Sequence, residues 1–150
     1  IGKVWPGRRR HRSSWDMSAR QLSSHQVRKE RNRQNGKGFG YSLFNEDSAY
    51  TSTISARYWK DGSEILIEQS EYGLNPRTLT PVEAGRLQGY RIIGDGWAYP
   101  EYGNSPMYNS NNIEFKIVVS KKEAYRQFGN SVAVPVIKKI AEEIVKQLIK

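Results

Sequence analysis

The side chains with the widest chemical reach in this 150-residue chain fall into three groups. Residues 53–60, reading TISARYWK, set hydroxyls, a guanidinium, a phenol and an ammonium within one short stretch. Arg57 can donate two parallel hydrogen bonds to guanine O6 and N7, the commonest specific contact in the major groove. Ser55, Tyr58 and Lys60 suit phosphates or base edges. The plainer alternative is a strand whose alternate residues face water, and on these residues alone it carries more weight. The second group is Gly129-Asn130-Ser131, a sharp turn with two small polar side chains placed just before an amphipathic segment. Ser131 can cap that helix, or the backbone amides there can hold an anion, and capping is the favoured reading. The third is Arg77, Glu83 and Arg86, charges around a short helix, where a Glu83–Arg86 surface pair contributes only about a few tenths of a kcal/mol.

Other chemistries drop out. The chain has no cysteine, which excludes disulfides, thiolate metal sites and a cysteine nucleophile within it. His11 and His25 have no acidic cluster beside them in sequence, so no metal site is expected. Gly36, Gly38 and Gly40 suggest a phosphate cradle, but no strand precedes them and no apolar helix follows. No apolar run reaches the roughly 18 residues of a membrane span, and the N-terminus lacks a signal-peptide core. The cytoplasm is the simplest compartment. Net charge is +9, and it is uneven: residues 1–39 carry 11 basic and two acidic side chains, while residues 40–150 carry 13 of each. A basic segment of this kind is an electrostatic footprint for a polyanion, usually nucleic acid, and such arms often order only on their ligand.

The elements that must position these groups suggest an α+β chain. Residues 18–33 can form a helix with Leu22 and Val27 as its only aliphatic anchors. Residues 40–44, 50–58 and 64–69 read as short strands, with turns at Asn45-Glu46-Asp47 and Asp61-Gly62, giving a small antiparallel, hairpin-like module. Thr80, Pro81 and Glu83 form a cap, first-turn proline and capping box, so a short helix should run from there to Gly89. Residues 91–112 read as a long loop, and residues 113–119 as a strand. From Val134 to Ile149 a helix should place Ile137, Ile140, Ala141, Ile144, Val145 and Leu148 on one face. That stripe requires a partner surface.

Two stretches together resemble the last two motifs of the DNA cytosine-5 methyltransferases: RTLTPVEAGRLQGY at residues 77–90 and YRQFGNSVAVPVI at residues 125–137. GKGFGYS at residues 36–42 and TSTISARYWKDGSEILI at residues 51–67 are similar to one bacterial branch, which methylates the inner cytosine of CCWGG and CCGG-type sites. Lys37, Ile54 and Trp59 stand where that branch has Asn, Leu and Tyr, and Arg91 replaces a common proline. The likeness covers about residues 35–149.

The resemblance implies roles. Thr53-Ile54 fits the Thr-aliphatic pair at the centre of the family's target recognition domain, so Lys37, Thr53, Ser55, Arg57, Tyr58 and Lys60 become candidate contacts to double-stranded DNA. Gly129, Asn130 and Ser131 match a turn that lies against S-adenosylmethionine, with the Asn and Ser at the cofactor's amino-acid end. The motif at residues 77–90 organises the recognition domain and its hinge. The implied partition is a basic arm at 1–37, a recognition domain at 38–124 including a hinge helix at 81–88, and a final segment at 125–150. That last helix would pack on a Rossmann-like catalytic domain lying outside this chain. The family's Pro-Cys nucleophile, Gly-rich cofactor loop and ring-protonating Glu are not among these residues, so the expectation is a fragment inactive by itself, with no catalytic residue of its own. A first residue of Ile1 favours an excised or processed piece. The implied setting is a bacterial restriction-modification system acting at the nucleoid. The alternative is a free-standing basic nucleic-acid-binding module without enzymatic activity.

Overall fold

Where a cap and its partner lie within one turn of each other, the chain folds as its local signals dictate. The computed structural model describes residues 13–38, 40–92 and 115–149. In chain order it contains α1 (Ala19–Gln34), β1 (Leu43–Phe44), α2 (Tyr58–Asp61), β2 (Leu66–Ile67), a 3-10 turn at Ser70–Tyr72, β3 (Arg77–Thr78), α3 (Pro81–Leu87), α4 (Lys121–Asn130) and α5 (Val134–Leu148). The result is α+β; among the described residues the strands form one small sheet in the order β1-β2-β3.

Ser18 starts α1 through a full capping box: Ser18 Oγ accepts from Gln21 N at 3.2 Å, and Gln21 Oε1 accepts from Ser18 N at 2.9 Å. The helix is held mostly by polar ties, since His25 is its only buried residue. Val27, expected as an anchor, is 65% exposed. Arg28 pairs with Asp61 of α2 at 2.7 Å, and Lys29 Nζ donates to the Tyr41 carbonyl at 2.9 Å.

The sheet corrects the expected antiparallel hairpin module. β1 and β2 run parallel, with Leu43 opposite Leu66, and only β2 and β3 are antiparallel. Residues 50–58 form no strand. Tyr50 is 82% exposed, whereas Ile54 and Tyr58 are buried, so the apolar anchors recur at helical spacing instead of alternating. Ser55 Oγ accepts from Arg57 N at 3.2 Å, and Tyr58 N donates to the Ser55 carbonyl at 3.1 Å, turning the chain into α2. Gly62 then ends α2 at φ +59, where any larger side chain would be strained. Asp61-Gly62 is thus a helix cap and not a hairpin turn. The described part of the expected strand at 113–119 forms no ladder beyond an isolated bridge at Ile117, and residues 93–112 of the expected loop lie outside the described residues, as does His11.

Thr80, Pro81 and Glu83 start α3 as expected: Glu83 N donates to Thr80 Oγ1 at 3.2 Å, and Thr80 N donates to Glu83 Oε2 at 2.7 Å. Glu83, however, does not form a surface pair with Arg86. It is buried and accepts from both Arg77 Nη1 and Nη2, at 2.9 and 2.7 Å. This two-pronged ion pair staples β3 to α3 inside the protein, and losing either partner would strand a buried charge.

One core joins the elements. Ile54, Tyr58, Ile65, Leu79, Val82, Ile117, Tyr125 and Phe128 are buried together. Tyr58 and Tyr125 pack with ring centroids 5.3 Å apart, and Tyr90, Phe115 and Phe128 form a second aromatic cluster. Each fully buried aliphatic side chain contributes about 1.5–3 kcal/mol. α5 stands apart, with no buried residue: Ile137, Ile140, Ile144 and Val145 are about half exposed and Leu148 is 79% exposed. No helix among the described residues is long and apolar enough to cross a membrane.

Candidate nucleic-acid interface

The segment from Thr53 to Lys60 is a bent platform with buried pegs and exposed polar groups. Ile54 and Tyr58 point into the core, while Thr53, Arg57 and Lys60 are exposed and Ser55 is half-buried. What holds the platform down is α4. A Cβ on Gly129 would lie 2.3 Å from Ala56 N and Ser55 C and 2.4 Å from the Ser55 carbonyl oxygen. Only a glycine lets α4 approach that peptide, two residues before Arg57.

Tyr58 leaves the set of candidate DNA contacts. It is 2% exposed; its hydroxyl donates to the Ile65 carbonyl and accepts from Leu79 N at 2.8 Å. Burial pushes its pKa far above the ordinary value near 10, so it stays a neutral phenol joining α2 to the strands. Tyr125 does the parallel job from α4, donating to the Leu79 carbonyl. Neither hydroxyl can reach a nucleic acid.

Beside the platform lies a polar cavity of about 430 Å³ that the residue pattern did not reveal. Arg28 and Asn32 of α1, Gly38, Ser42, Thr53 and Glu64 are among its lining residues. The glycine run after α1 and the Thr53-Ile54 pair, distant in sequence, therefore meet at one hollow. Glu64 Oε1 accepts from Ser55 Oγ at 2.5 Å, and its Oε2 is shielded without a hydrogen-bond partner. Lys37 is exposed in the turn that closes α1, its amide donating to the Asn32 carbonyl at 2.8 Å, next to Gly38. Arg28 also contacts His25 Nδ1 at 2.7 Å. Desolvation and the neighbouring Arg28 hold the pKa of His25 below its ordinary value near 6.5. Burial pushes the Asp61 carboxyl up, but hydrogen bonding and attraction to Arg28 outweigh this and leave it below the usual range.

Gly129 and Asn130 are the last residues of α4 and Ser131 is its C-cap, so they do not form a free turn ahead of α5. Ser131 Oγ donates to the Phe128 carbonyl at 2.8 Å, and α5 has no side-chain cap. The favoured capping role thus falls on the helix before Ser131, because the serine lies two residues ahead of Ala133, the N-cap position of α5. Gln88 Nε2 donates to the same Phe128 carbonyl at 3.0 Å, and Val134 N donates to the Gln88 carbonyl at 2.8 Å. The end of α3, the end of α4 and the start of α5 are locked together here, leaving Asn130 exposed at the junction.

Fold and site together define an α+β module that presents an exposed polar segment from a buried aromatic base. The family described as C-5 cytosine-specific DNA methylase matches residues 5–146, and the chain belongs to that family. The type II methyltransferase M.NlaX of Neisseria lactamica is 52% identical over 87% of this chain and 34% of its own length. M.SsoII of Shigella sonnei is 54% identical over 84% of this chain and 27% of its own, and a DNA-cytosine methyltransferase of Escherichia coli K12 is 36% identical over 90% and 28%. The chain thus spans about a third or less of these relatives. The crystal structure of the Dnmt2 methyltransferase of S. pombe superposes with a TM-score of 0.59 over 97% of this chain and 41% of that one, at 18% identity, a likeness of fold.

Proposed function

We propose that this chain is the DNA-reading portion of a restriction-modification cytosine-5 methyltransferase, selecting a CCWGG- or CCGG-type site for methylation by a catalytic part that it does not contain. The observation that carries the reading is Arg57. It is exposed, it follows the Thr53-Ile54 pair, and the Ser55–Ala56 peptide just before it is packed tightly against Gly129. A rigid mount is what a guanidinium needs to tell guanine from other bases. Lys37, Thr53, Ser55 and Lys60 surround it as further contacts to double-stranded DNA. Residues 38–124 serve as the recognition domain and the apolar face of α5 as the seat of the catalytic domain. Flipping of the target base and the cysteine chemistry belong to that domain, so the isolated chain transfers no methyl group.

The residues at the end of α4 fit the amino-acid end of S-adenosylmethionine. Asn130 offers an exposed carboxamide and Ser131 a hydroxyl with a spare acceptor, both at a helix C-terminus, whose partial negative charge suits an ammonium. When bound, the cofactor supplies the methyl group. Asn130 and Ser131 would orient it, and Gly129 keeps their helix seated on the recognition segment.

Fluorescence anisotropy with CCWGG, CCGG and scrambled duplexes across a salt series tests the reading. A preference that survives rising salt is the expected result. Arg57→Ala should cost about 1–3 kcal/mol on the preferred duplex and relax discrimination. Equal weakening on every duplex would make Arg57 a phosphate contact and overturn the assignment.

A further inference from the structure

Three lysines from two distant segments gather beside two indoles on the surface next to α2. Lys121 Nζ lies 3.6 Å from the Trp15 ring centroid, Lys122 Nζ 4.5 Å from that of Trp59, and Lys60 Nζ 5.5 Å from the same Trp59 ring. Among the described residues no carboxylate pairs with any of the three. The acids nearest on the shared cavity of about 190 Å³, Asp16 and Asp61, are engaged elsewhere: Asp16 accepts from Ser13 and Gln69, and Asp61 from Arg28. An indole face orders an ammonium without neutralising it, so these charges are held in place and, among the described residues, unpaired. Lys121 and Lys122 also open the ten-residue helix α4, whose first turn is capped by Ser120 and carries Glu123, itself paired with Arg126.

Fixed, unpaired cations call for an anion. Because ammonium groups already lie over both indoles, the rings are poorly placed to stack on unpaired bases, which argues against a single strand and for the backbone of a duplex. Lys60 ties the cluster to the reading segment, being three residues from Arg57 on the same helical turn. We propose that Lys60, Lys121 and Lys122, ordered by Trp15 and Trp59, clamp the phosphodiester backbone of double-stranded DNA beside the site that Arg57 reads. This rests on the DNA-reading function above, and it adds affinity that is blind to sequence.

The test is the double variant Lys121→Gln/Lys122→Gln in the 150-residue chain, titrated by anisotropy with the preferred and the scrambled duplex from 50 to 200 mM salt. Each phosphate contact contributes about 0.9 to the slope of log affinity against log salt, so the variant's slope should be shallower by about 1.8 on both duplexes. Across that range the wild type should then lose about 12-fold more affinity than the variant, 4 raised to 1.8. Discrimination between the duplexes should not change, and Lys121→Arg/Lys122→Arg should restore the slope. An unchanged slope, or a change on one duplex only, overturns the clamp, and equal unfolding temperatures exclude a folding defect. If the wild type shows no site preference while the slope still falls, base reading fails and the clamp stands. If preference persists while the slope is unmoved, the reverse holds.

Discussion

Replacing Gly129 with alanine tests the mount on which the segment proposed to read DNA rests. The added Cβ would sit 2.3–2.4 Å from three backbone atoms of Ser55 and Ala56, where carbon contacts are comfortable only at about 3.5–4.0 Å. No rotamer relieves a clash between a Cβ and a peptide, so α4 and the segment must separate by about 1 Å. Overpacking of this kind costs about 1–3 kcal/mol. Movement of α4 would also strain the two side-chain hydrogen bonds converging on the Phe128 carbonyl, from Gln88 and Ser131, which places the cost near the top of that range. At about 2–4 °C per kcal/mol for a chain of this size, the melting temperature should fall by about 6–12 °C. Circular dichroism melts at fixed protein concentration would read it. The control is Gly38→Ala, where nothing lies within 4 Å of the added methyl, and it should change stability by less than about 0.5 kcal/mol. On duplexes, Gly129→Ala should also lose discrimination below its melting temperature, because Arg57 moves with the peptide. An unchanged melt with unchanged discrimination would refute the clamping role of Gly129 and the argument drawn from it.

Three further outcomes follow from the same contacts. Tyr58→Phe leaves the Leu79 amide without its partner and the Ile65 carbonyl without the phenol, and should cost about 1–3 kcal/mol in urea unfolding while site preference stays intact. A shift in site preference without a loss of stability would return Tyr58 to the DNA-contacting set. His25 should make stability depend on pH: its folded pKa lies below the unfolded value near 6.5, so the unfolded chain binds more protons in that window. Its contribution is therefore full above about pH 6.5 and is lost as pH falls through the interval down to the folded value. His25→Gln should flatten that interval in urea titrations, and an unflattened profile would assign the dependence elsewhere. Finally, Ile140→Lys/Ile144→Lys should shift the chain toward monomer in sedimentation, because both side chains are about half exposed on the uncovered face of α5. A wild type that is already monomeric, with a sharp cooperative melt, would favour a free-standing module.

Parts of this fold were legible because their causes are local. Thr80, Pro81 and Glu83 lie within four positions, and the 3.6-residue stripe of α5 needs no knowledge of the rest of the chain. Residues 50–58 were misread as a strand because their β-branched and aromatic residues match a pleated surface. What decided the matter was distant: Tyr58 finds its hydrogen-bond partners at Ile65 and Leu79. Glu83 was misjudged in the same way, since Arg86 is its neighbour on the helix, yet Arg77 from β3 comes inside to meet it. In the candidate site, Arg57 and Lys60 were visible as residue types, whereas Glu64 and the lysine–indole cluster were not. A carboxylate in a β-rich stretch and a Lys-Lys pair in the first turn of a helix look like ordinary solvated surface until the fold brings Ser55 or a tryptophan beside them.

The physical centre of the proposed function is the last turn of α4. One peptide carbonyl, that of Phe128, accepts from Gln88 at the end of α3 and from Ser131, the C-cap of α4 proposed to meet the cofactor. The next residue, Gly129, bears on the Ser55–Ala56 peptide, two residues before Arg57. The two stretches that resemble the family's last motifs are therefore not independent signatures laid along the chain. They pack into one joint, and the segment proposed to read DNA is bolted to it without a side chain between them. Close-packed backbone contacts transmit displacement where a flexible side chain would absorb it. A change at Asn130 or Ser131, the residues proposed to meet the cofactor, should therefore appear first as lost base discrimination.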